Sequence, residues 1–387
     1  MEMTNCPRDS STVENNFEVV NLREIDLNIT NRCNLDCRHC AFASHIGDSS
    51  ELSYEIIRQI IEDASTLGCQ EIHLTGGEPT IHREFDRVLE LIIDSGMFTR
   101  LISNGVMPHS RLKKYFDMGL RHLLFSLDGL KDSHDRIRGR NGLFKKTLDR
   151  IGDAVRLGFN VRVNAVAMFD NIQDLVPLYW KLTELGVHTY SIFLYTPTGR
   201  NAAKQLHHMI QPKQWRKFKE ALAESCGTNA TEVFVEKGYQ FPDEPDLNWA
   251  EMTGRGGGCH YLSTHMDYLL ITGTGDVFPC ALLNDKAIPY GNIKERRLSE
   301  IIARPSKHYL TYQEFRKPSG RCGSCNWWEN CHGGCRALVH AFNEGNWNNP
   351  DPFCESTSPA YLPLCPLFKQ SLSGDRSNHS GFSERLG

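Results

Sequence analysis

Between residues 23 and 200 the chain alternates short apolar runs with longer amphipathic ones. The short runs are EIDLNI (24–29), EIHLT (71–75), RLIS (100–103), HLLFSL (122–127), VRVNAVAM (161–168) and TYSIFLY (189–195). Their length and branched apolar content predict strands. Between them, apolar residues recur at i, i+3 and i+4 in Tyr54–Leu67, Arg83–Ser95, Phe144–Leu157 and Ile172–Leu185, which predicts helices. In the first of these, Ile56, Ile57, Ile60, Ile61 and Ala64 share one face. Gly68, Gly96, Gly119, Gly158 and Gly186 stand where a helix ends in a left-handed residue. A strand–helix unit repeated six times implies parallel strands. The expected fold is α/β, a partial (β/α)6 barrel of the TIM type.

Polar residues collect where such a barrel has its mouth. TNRCNLDCRHC follows the first strand, TGGEP the second, SNG the third, SLDG the fourth and TPTGR the sixth. Any one of these is an ordinary turn by itself. Five at the C-terminal ends of barrel strands point to an active-site rim.

Downstream the periodicity fades. Residues 1–22 read as a flexible polar arm and 23–200 as the barrel. Residues 201–258 hold a helical stretch at Lys213–Glu224, then a Gly/Pro-rich segment with FPDEPD and GRGGG, and read as a helical linker. Residues 259–370 are loop-rich and dense in Cys, a region expected to need metal to hold together. Residues 371–387 form a polar, flexible tail.

Composition changes the picture at one point. Fourteen of the 387 residues are Cys, and the polar N-terminus has no signal-peptide core. That predicts a cytoplasmic, reducing setting, in which sulfurs serve as metal ligands or buried thiols rather than disulfides. Lys+Arg 43 against Asp+Glu 47 leaves a net charge of −4, which excludes nucleic acid as the main partner. No apolar run is long enough for a membrane span.

Cys33-x3-Cys37-x2-Cys40 lies just beyond the first strand. Three neighbouring thiolates suit a soft metal or an iron–sulfur cluster with one open iron. The alternative is a zinc site completed by His39 or His45.

With Gly76-Gly77-Glu78-Pro79, Ser103-Asn104 and Ser126-Leu127-Asp128-Gly129, this motif resembles the radical S-adenosylmethionine (radical SAM) enzymes over residues 23–200. The resemblance implies a [4Fe–4S] cluster whose open iron chelates SAM. One electron then splits SAM into methionine and a 5′-deoxyadenosyl radical that abstracts a substrate hydrogen. It also implies cofactor contacts. Gly76 and Gly77 would admit the methionyl part, with Glu78 assisting or fixing the loop. Ser103, Asn104 and Ser126 would bind hydroxyl or methionyl groups, Arg138 the SAM carboxylate, and Asn164 and Phe42 the adenine. His39 stands where most such enzymes have an aromatic residue.

The second cysteine set is Cys259, Cys280, Cys322, Cys325, Cys331, Cys335 and Cys354. Its spacing, with GDVFPC, GNI and CHGGCRA around it, resembles the seven-cysteine SPASM extension of radical SAM enzymes. That implies two auxiliary [4Fe–4S] clusters, one on Cys322, Cys325, Cys331 and Cys354, the other on Cys259, Cys280 and Cys335. His265 is a candidate fourth ligand of the latter. Paired zinc ribbons remain the alternative.

The expected function is a radical SAM/SPASM oxidoreductase that crosslinks, oxidises or decarboxylates a peptide or peptide-derived substrate. A separate electron donor such as flavodoxin is implied. The short stretch before Cys33 leaves a peptide substrate to a separate leader-peptide carrier or to none. TPTGR resembles the haem-biosynthetic and quinone-cofactor-forming branches, and Ala281 after Cys280 argues against formylglycine formation. Two other readings stay open: a radical SAM enzyme acting on a sugar, nucleoside or tetrapyrrole, and a non-catalytic metal-binding scaffold. Tyr195, Asp267, Tyr268 and His260 are candidates for proton transfer.

Overall fold

The structure is a computed structural model. It describes residues 22–200, 206–226, 231–235, 267–284, 289–306, 320–325, 335–342, 349 and 351. The expected units are present. Strands β1 (Glu24–Asn28), β2 (Glu71–Thr75), β3 (Phe98–Ser103), β4 (His122–Ser126), β5 (Asn160–Ala167) and β6 (Thr189–Leu194) run parallel and pair in sequence order. Between them run α1 (Tyr54–Thr66), α2 (Phe85–Asp94), α3 (His109–Asp117), α4 (Lys131–Arg138), α5 (Leu143–Leu157) and α6 (Ile172–Glu184).

Local chemistry sets the helix ends. Ser53 caps α1, its side chain accepting from Ile56 N–H. Gly68, Gly96, Gly119, Gly158 and Gly186 all take positive φ, which lets the chain leave each helix sharply.

The sheet is wider than six strands. Helix α7 (Pro212–Cys226) leads to β7 (Glu232–Val235), which pairs parallel to β6. On the far side β8 (Tyr268–Ile271) pairs parallel to β1. Strands β9 (Asp276–Phe278) and β10 (Gly291–Asn292) finish that edge antiparallel. The order is β10-β9-β8-β1-β2-β3-β4-β5-β6-β7, an open sheet. Helices α8 (Leu298–Ala303) and α9 (Arg336–Phe342) follow.

The two sheet faces differ. Ile25, Leu27, Ile72, Leu74, Leu101, Leu123, Val161, Val163, Tyr190 and Ile192 are buried in one apolar core with the inner faces of the helices. Most alternate positions are polar, among them Asp26 and Asn28 on β1, His73 and Thr75 on β2, Arg100 on β3, Ser126 on β4, Arg162 and Asn164 on β5 and Ser191 on β6, with Ile102, Leu124, Val166 and Phe193 among the apolar exceptions. Period-2 alternation therefore builds a polar inner surface that runs up to the loops at the strand C-termini.

Candidate functional site

The loop after β1 carries Cys33, Cys37 and Cys40. Its turns are fixed internally. Cys33 N donates to His45 O (3.2 Å), and Ala43 N to Cys40 O (3.1 Å). Asn31 Nδ2 donates to Asp48 Oδ2 (2.6 Å), while Ser44 Oγ donates to Asn31 Oδ1 (3.0 Å). Cys33 and Cys37 are buried with Leu35 and Leu143, and Cys40 and Val106 pack against them.

Each sulfur has an N–H donor beside it. Ser44 N lies 3.4 Å from Cys40 Sγ, Asn104 Nδ2 3.9 Å from Cys33 Sγ, and Arg138 Nη1 3.8 Å from Cys37 Sγ. Burial pushes the Cys33 thiol up to about 12 and raises Cys37 against the pull of Arg138. Thiols in so apolar a pocket ionise against a bound cation, and soft sulfur donors favour an iron–sulfur cluster. The donor set and its flanking N–H groups fit that group.

Beneath Cys37 is a buried charge centre. Asp128, wholly buried, accepts from Arg138 Nε (2.5 Å) and from Val166 N (2.9 Å). His39 Nε2 lies 3.5 Å from its Oδ2. Burial works to raise the Asp128 carboxyl, but Arg138, with His39 and His134, outweighs it and holds it well below the usual carboxylate range. Burial drives His39 down to about 4, opposed by Asp128, so the ring is neutral at pH 7. The Arg138 guanidinium, expected at the SAM carboxylate, is engaged by Asp128 through Nε and by Cys37 Sγ through Nη1.

The loops of later strands clamp the cysteine loop. A Cβ on Gly76 would come within 2.6 Å of Thr30 O, and one on Gly77 within 2.3 Å of Arg32 O. The space these residues save is occupied by the backbone leading into the cysteine loop. It admits hydrogen bonds from Gly77 N to Thr30 O (2.7 Å) and from Glu78 N to Arg32 O (2.9 Å). Glu78 is buried, and burial raises its carboxyl above the usual range. It accepts from Thr80 Oγ1 (2.6 Å), Ser103 Oγ (3.0 Å) and Asn104 N (2.8 Å), and so ties the second rim loop to the third. Asn104 Nδ2 donates to Asn34 Oδ1 (2.7 Å). Ser103 and Asn104 thus spend these bonds within the loop scaffold.

Contacts of three residues, Gly199, Arg200 and Asn284, escaped the sequence reading. Gly199, after β6, has no room for a Cβ, which would meet Ala41 O at 2.2 Å; Arg200 N donates to Cys40 O (3.0 Å). The Arg200 side chain bonds Asp36 Oδ1 and Ser44 O. Asn284 Nδ2, four residues past Cys280, donates to Ala41 O (3.1 Å). The GR of TPTGR was the only available signal for the first two.

Other expected residues are placed less tightly. Ser126 and Asn164 face each other across β4 and β5, both half-buried. Asn164 Oδ1 is buried without a hydrogen-bond partner, as are both amide atoms of Asn28. Phe42 is half-buried beside Cys40. Tyr195 is buried, which pushes its hydroxyl up to about 12. Tyr268 donates to Asp26 Oδ2 (2.6 Å) at the opposite end of the sheet from the cysteines.

Of the second cysteine set, Cys280, Cys322, Cys325 and Cys335 are described. Cys280 and Cys335 pack against the main core. Cys335 N donates to Asp351 Oδ2 (2.9 Å), and Cys325 N to Cys322 O (3.3 Å). Cys259, Cys331, Cys354, His260 and His265 lie outside the described residues. Among the described residues no helix is long and apolar enough to cross a membrane.

Comparison with known proteins agrees with this geometry. A family model of the Radical SAM superfamily matches residues 27–179, and one of SPASM, an iron–sulfur cluster-binding domain, matches 259–332. The AdoMet-dependent heme synthase of Methanosarcina barkeri is 25% identical over 347 residues, 86% of this chain and 96% of that protein. The PqqA peptide cyclase of Ruegeria pomeroyi is 28% identical over 355 residues, 89% of this chain and 90% of that protein. The crystal structure of Streptococcus suis SuiB bound to S-adenosylmethionine shares the fold, with a TM-score of 0.70 at 18% identity over 87% of this chain and 78% of that one. The chain is thus a member of the radical SAM superfamily, an enzyme whose barrel is followed by a SPASM iron–sulfur domain.

Proposed function

We propose that the protein is an oxidoreductase that removes a hydrogen atom from a peptide or peptide-derived substrate, leading to crosslinking, oxidation or decarboxylation. Cys33, Cys37 and Cys40 hold its SAM-binding [4Fe–4S] cluster. That group, when bound, supplies reductive cleavage of SAM and so the hydrogen-abstracting radical.

The chain's own residues do the rest. The clamps from Gly76–Glu78, Gly199–Arg200 and Asn284 hold the three thiolates in one fixed loop. Arg138 places a positive charge beside Cys37, stabilising its thiolate, and Asp128 neutralises that charge below. His39 packs uncharged against the same carboxylate. Asn28, Asn164 and Ser126 offer neutral hydrogen-bonding groups on the adjoining face, suited to the SAM adenosine and methionyl ends. Cys322, Cys325, Cys331 and Cys354 hold one auxiliary cluster, and Cys259, Cys280 and Cys335 the other. Clusters held there would supply an acceptor for the electron that a substrate radical loses when it is oxidised. A flavodoxin-type donor supplies the initiating electron, and such oxygen-labile centres belong in the cytoplasm.

The observation that carries this reading is the convergence of four separate loops on one buried tricysteine loop at the strand C-termini. A second reading, a tetrapyrrole substrate, is favoured by the near full-length match to a heme synthase.

Anaerobic reconstitution is expected to yield roughly twelve irons, four per cluster. Reduced protein given SAM is expected to release 5′-deoxyadenosine. Replacing Cys33, Cys37 and Cys40 together by Ala is expected to abolish that product while leaving the auxiliary iron. Stoichiometric zinc without iron, or undiminished 5′-deoxyadenosine from the triple variant, would refute the assignment.

A further inference from the structure

The polar inner face of the sheet carries a cation with no hydrogen bond or ion pair among the described residues. Arg162 on β5 is half-buried and points to the same face as Asn164, two residues nearer the cysteine loop. In register it lies beside Leu124 on β4 and Thr189 on β6, and Thr189 in turn lies beside Glu232 on β7. Among the described residues its guanidinium makes no hydrogen bond, ion pair or ring contact.

Its neighbours are otherwise occupied. Arg100, on the same face of β3, has its Nη1 3.0 Å from His73 Nε2 and its guanidinium over the Phe98 ring. Asp26 accepts from Tyr268 and pairs with His73, and Glu71 also lies against His73. Thr189 Oγ1 donates to Glu232 Oε2 (3.4 Å). Burial lowers the pKa of Arg162, and the charges of Glu232, Glu24 and Glu71 oppose that. Arg100 is lowered by burial and then by repulsion from Arg162 itself, so the two cations share one region.

The next row toward the cysteines holds polar atoms waiting for a partner. Asn164 lies beside Ser191 on β6, and Asn164 Oδ1 and Ser191 Oγ are both buried and unpartnered. That row is one strand repeat, about 6.6 Å, above Arg162. An unpaired guanidinium one row below the Asn164 row, which faces SAM in the proposed function, is placed to hold the anionic head of a molecule lying against SAM from that side.

We infer that Arg162 is a specificity residue which receives a carboxylate of the substrate, so that the carbons attached to that carboxylate are presented to the SAM side of the face. The inference rests on the radical SAM reading of the cysteine loop and deepens it by naming a carboxylate-bearing substrate. A planar guanidinium offers a carboxylate two parallel N–H···O bonds and fixes its orientation. Both a tetrapyrrole propionate and a glutamyl or C-terminal carboxylate supply this chemistry.

The test is equilibrium binding to the reconstituted, SAM-loaded full chain. One arm compares iron coproporphyrin III with its tetramethyl ester by absorbance. The other compares a short Glu-containing, C-terminally amidated peptide with its Gln counterpart by calorimetry. In at least one arm the free acid is expected to bind tenfold or more tightly than the neutral form. R162Q is expected to erase that preference and R162K to restore part of it. Melting of R162Q is expected near the wild-type temperature, because it removes no hydrogen bond or ion pair, and the lost repulsion with Arg100 offsets the lost attraction of Glu232, Glu24 and Glu71. Equal binding of acid and neutral forms in both arms, a preference that survives in R162Q, or a clear drop in the R162Q melting temperature would overturn the inference. Formation of 5′-deoxyadenosine by the wild type without substrate separates these failures from failure of the radical SAM reading itself.

Discussion

Replacing Gly77 by Ala adds one methyl group at the point where the second rim loop crosses the cysteine loop. The new Cβ would lie 2.3 Å from Arg32 O, 2.7 Å from Arg32 C and 2.8 Å from Asn31 O, all backbone atoms that no rotamer change can clear. Ordinary contact needs about 3.4 Å or more, so one loop must retreat by roughly 1 Å. That retreat breaks or weakens the bonds from Gly77 N to Thr30 O (2.7 Å) and from Glu78 N to Arg32 O (2.9 Å). Two backbone hydrogen bonds at about 1 kcal/mol each, with about 1–3 kcal/mol for overpacking, give a cost of roughly 3–5 kcal/mol. The cost falls on the loop that holds Cys33, Cys37 and Cys40. Anaerobic reconstitution followed by iron analysis and electron paramagnetic resonance of the reduced protein is the assay. The variant is expected to lose about four of roughly twelve irons, and the signal that responds to SAM, while keeping the auxiliary signals. Gly68→Ala is the control. Its Cβ meets nothing within 4 Å, and its positive φ costs about 1–2 kcal/mol far from the clusters. A Gly77→Ala protein with full iron, a SAM-responsive signal and the wild-type melting temperature would show that the clamp is not what holds the site.

Two further outcomes follow from the buried charges. Asp128→Asn leaves the Arg138 guanidinium buried beside a neutral amide, and anaerobic urea unfolding is expected to show a loss of about 3–5 kcal/mol; a loss below about 1 kcal/mol would mean that the pair is not what balances this charge. His73 contributes a pH dependence: burial opposes its charge, but hydrogen bonds to Asp26 and Glu71 and the field of Glu24 raise it from 6.5 to about 9. A raised folded pKa means that its stabilisation is complete below the unfolded value of 6.5 and is lost as pH rises through about 9. Unfolding free energy is expected to fall by roughly 3 kcal/mol over that window, and His73→Gln to flatten the fall; parallel pH profiles for the two proteins would contradict the assignment.

The strands, the helices and the tricysteine loop were legible because each is written locally. EIHLT alternates as a strand must, Ile57, Ile60, Ile61 and Ala64 recur as a buried helix face must, and Cys33, Cys37 and Cys40 fall within one loop. Strand β8 was not legible. YLLI at 268–271 lies in a stretch without periodicity, and its place beside β1 joins residues more than 240 apart. The roles of Gly77, Glu78 and Arg138 were legible as residue types but not as contacts. The sequence points Gly77 and Arg138 toward SAM and leaves Glu78 to assist there or to fix the loop; that each also bonds the chain around the cysteine loop is visible only in the structure. Arg162 sat in plain view on a strand, but nothing along the chain distinguishes an answered arginine from an unanswered one.

Covalent neighbours settle what a segment becomes: backbone sterics and the 2.0 and 3.6 periods act over a few residues, so order along the chain is enough to yield alternating strands and helices and a knot of three sulfurs. Which polar groups remain available for a ligand is settled elsewhere. A side chain has few donors and acceptors, and whether Arg138 meets Asp128 and Cys37, or Arg162 meets nothing among the described residues, depends on strand register and on loops folding back across the sheet. Those through-space pairings consume or spare hydrogen-bonding capacity, and they exist only once the tertiary structure has formed.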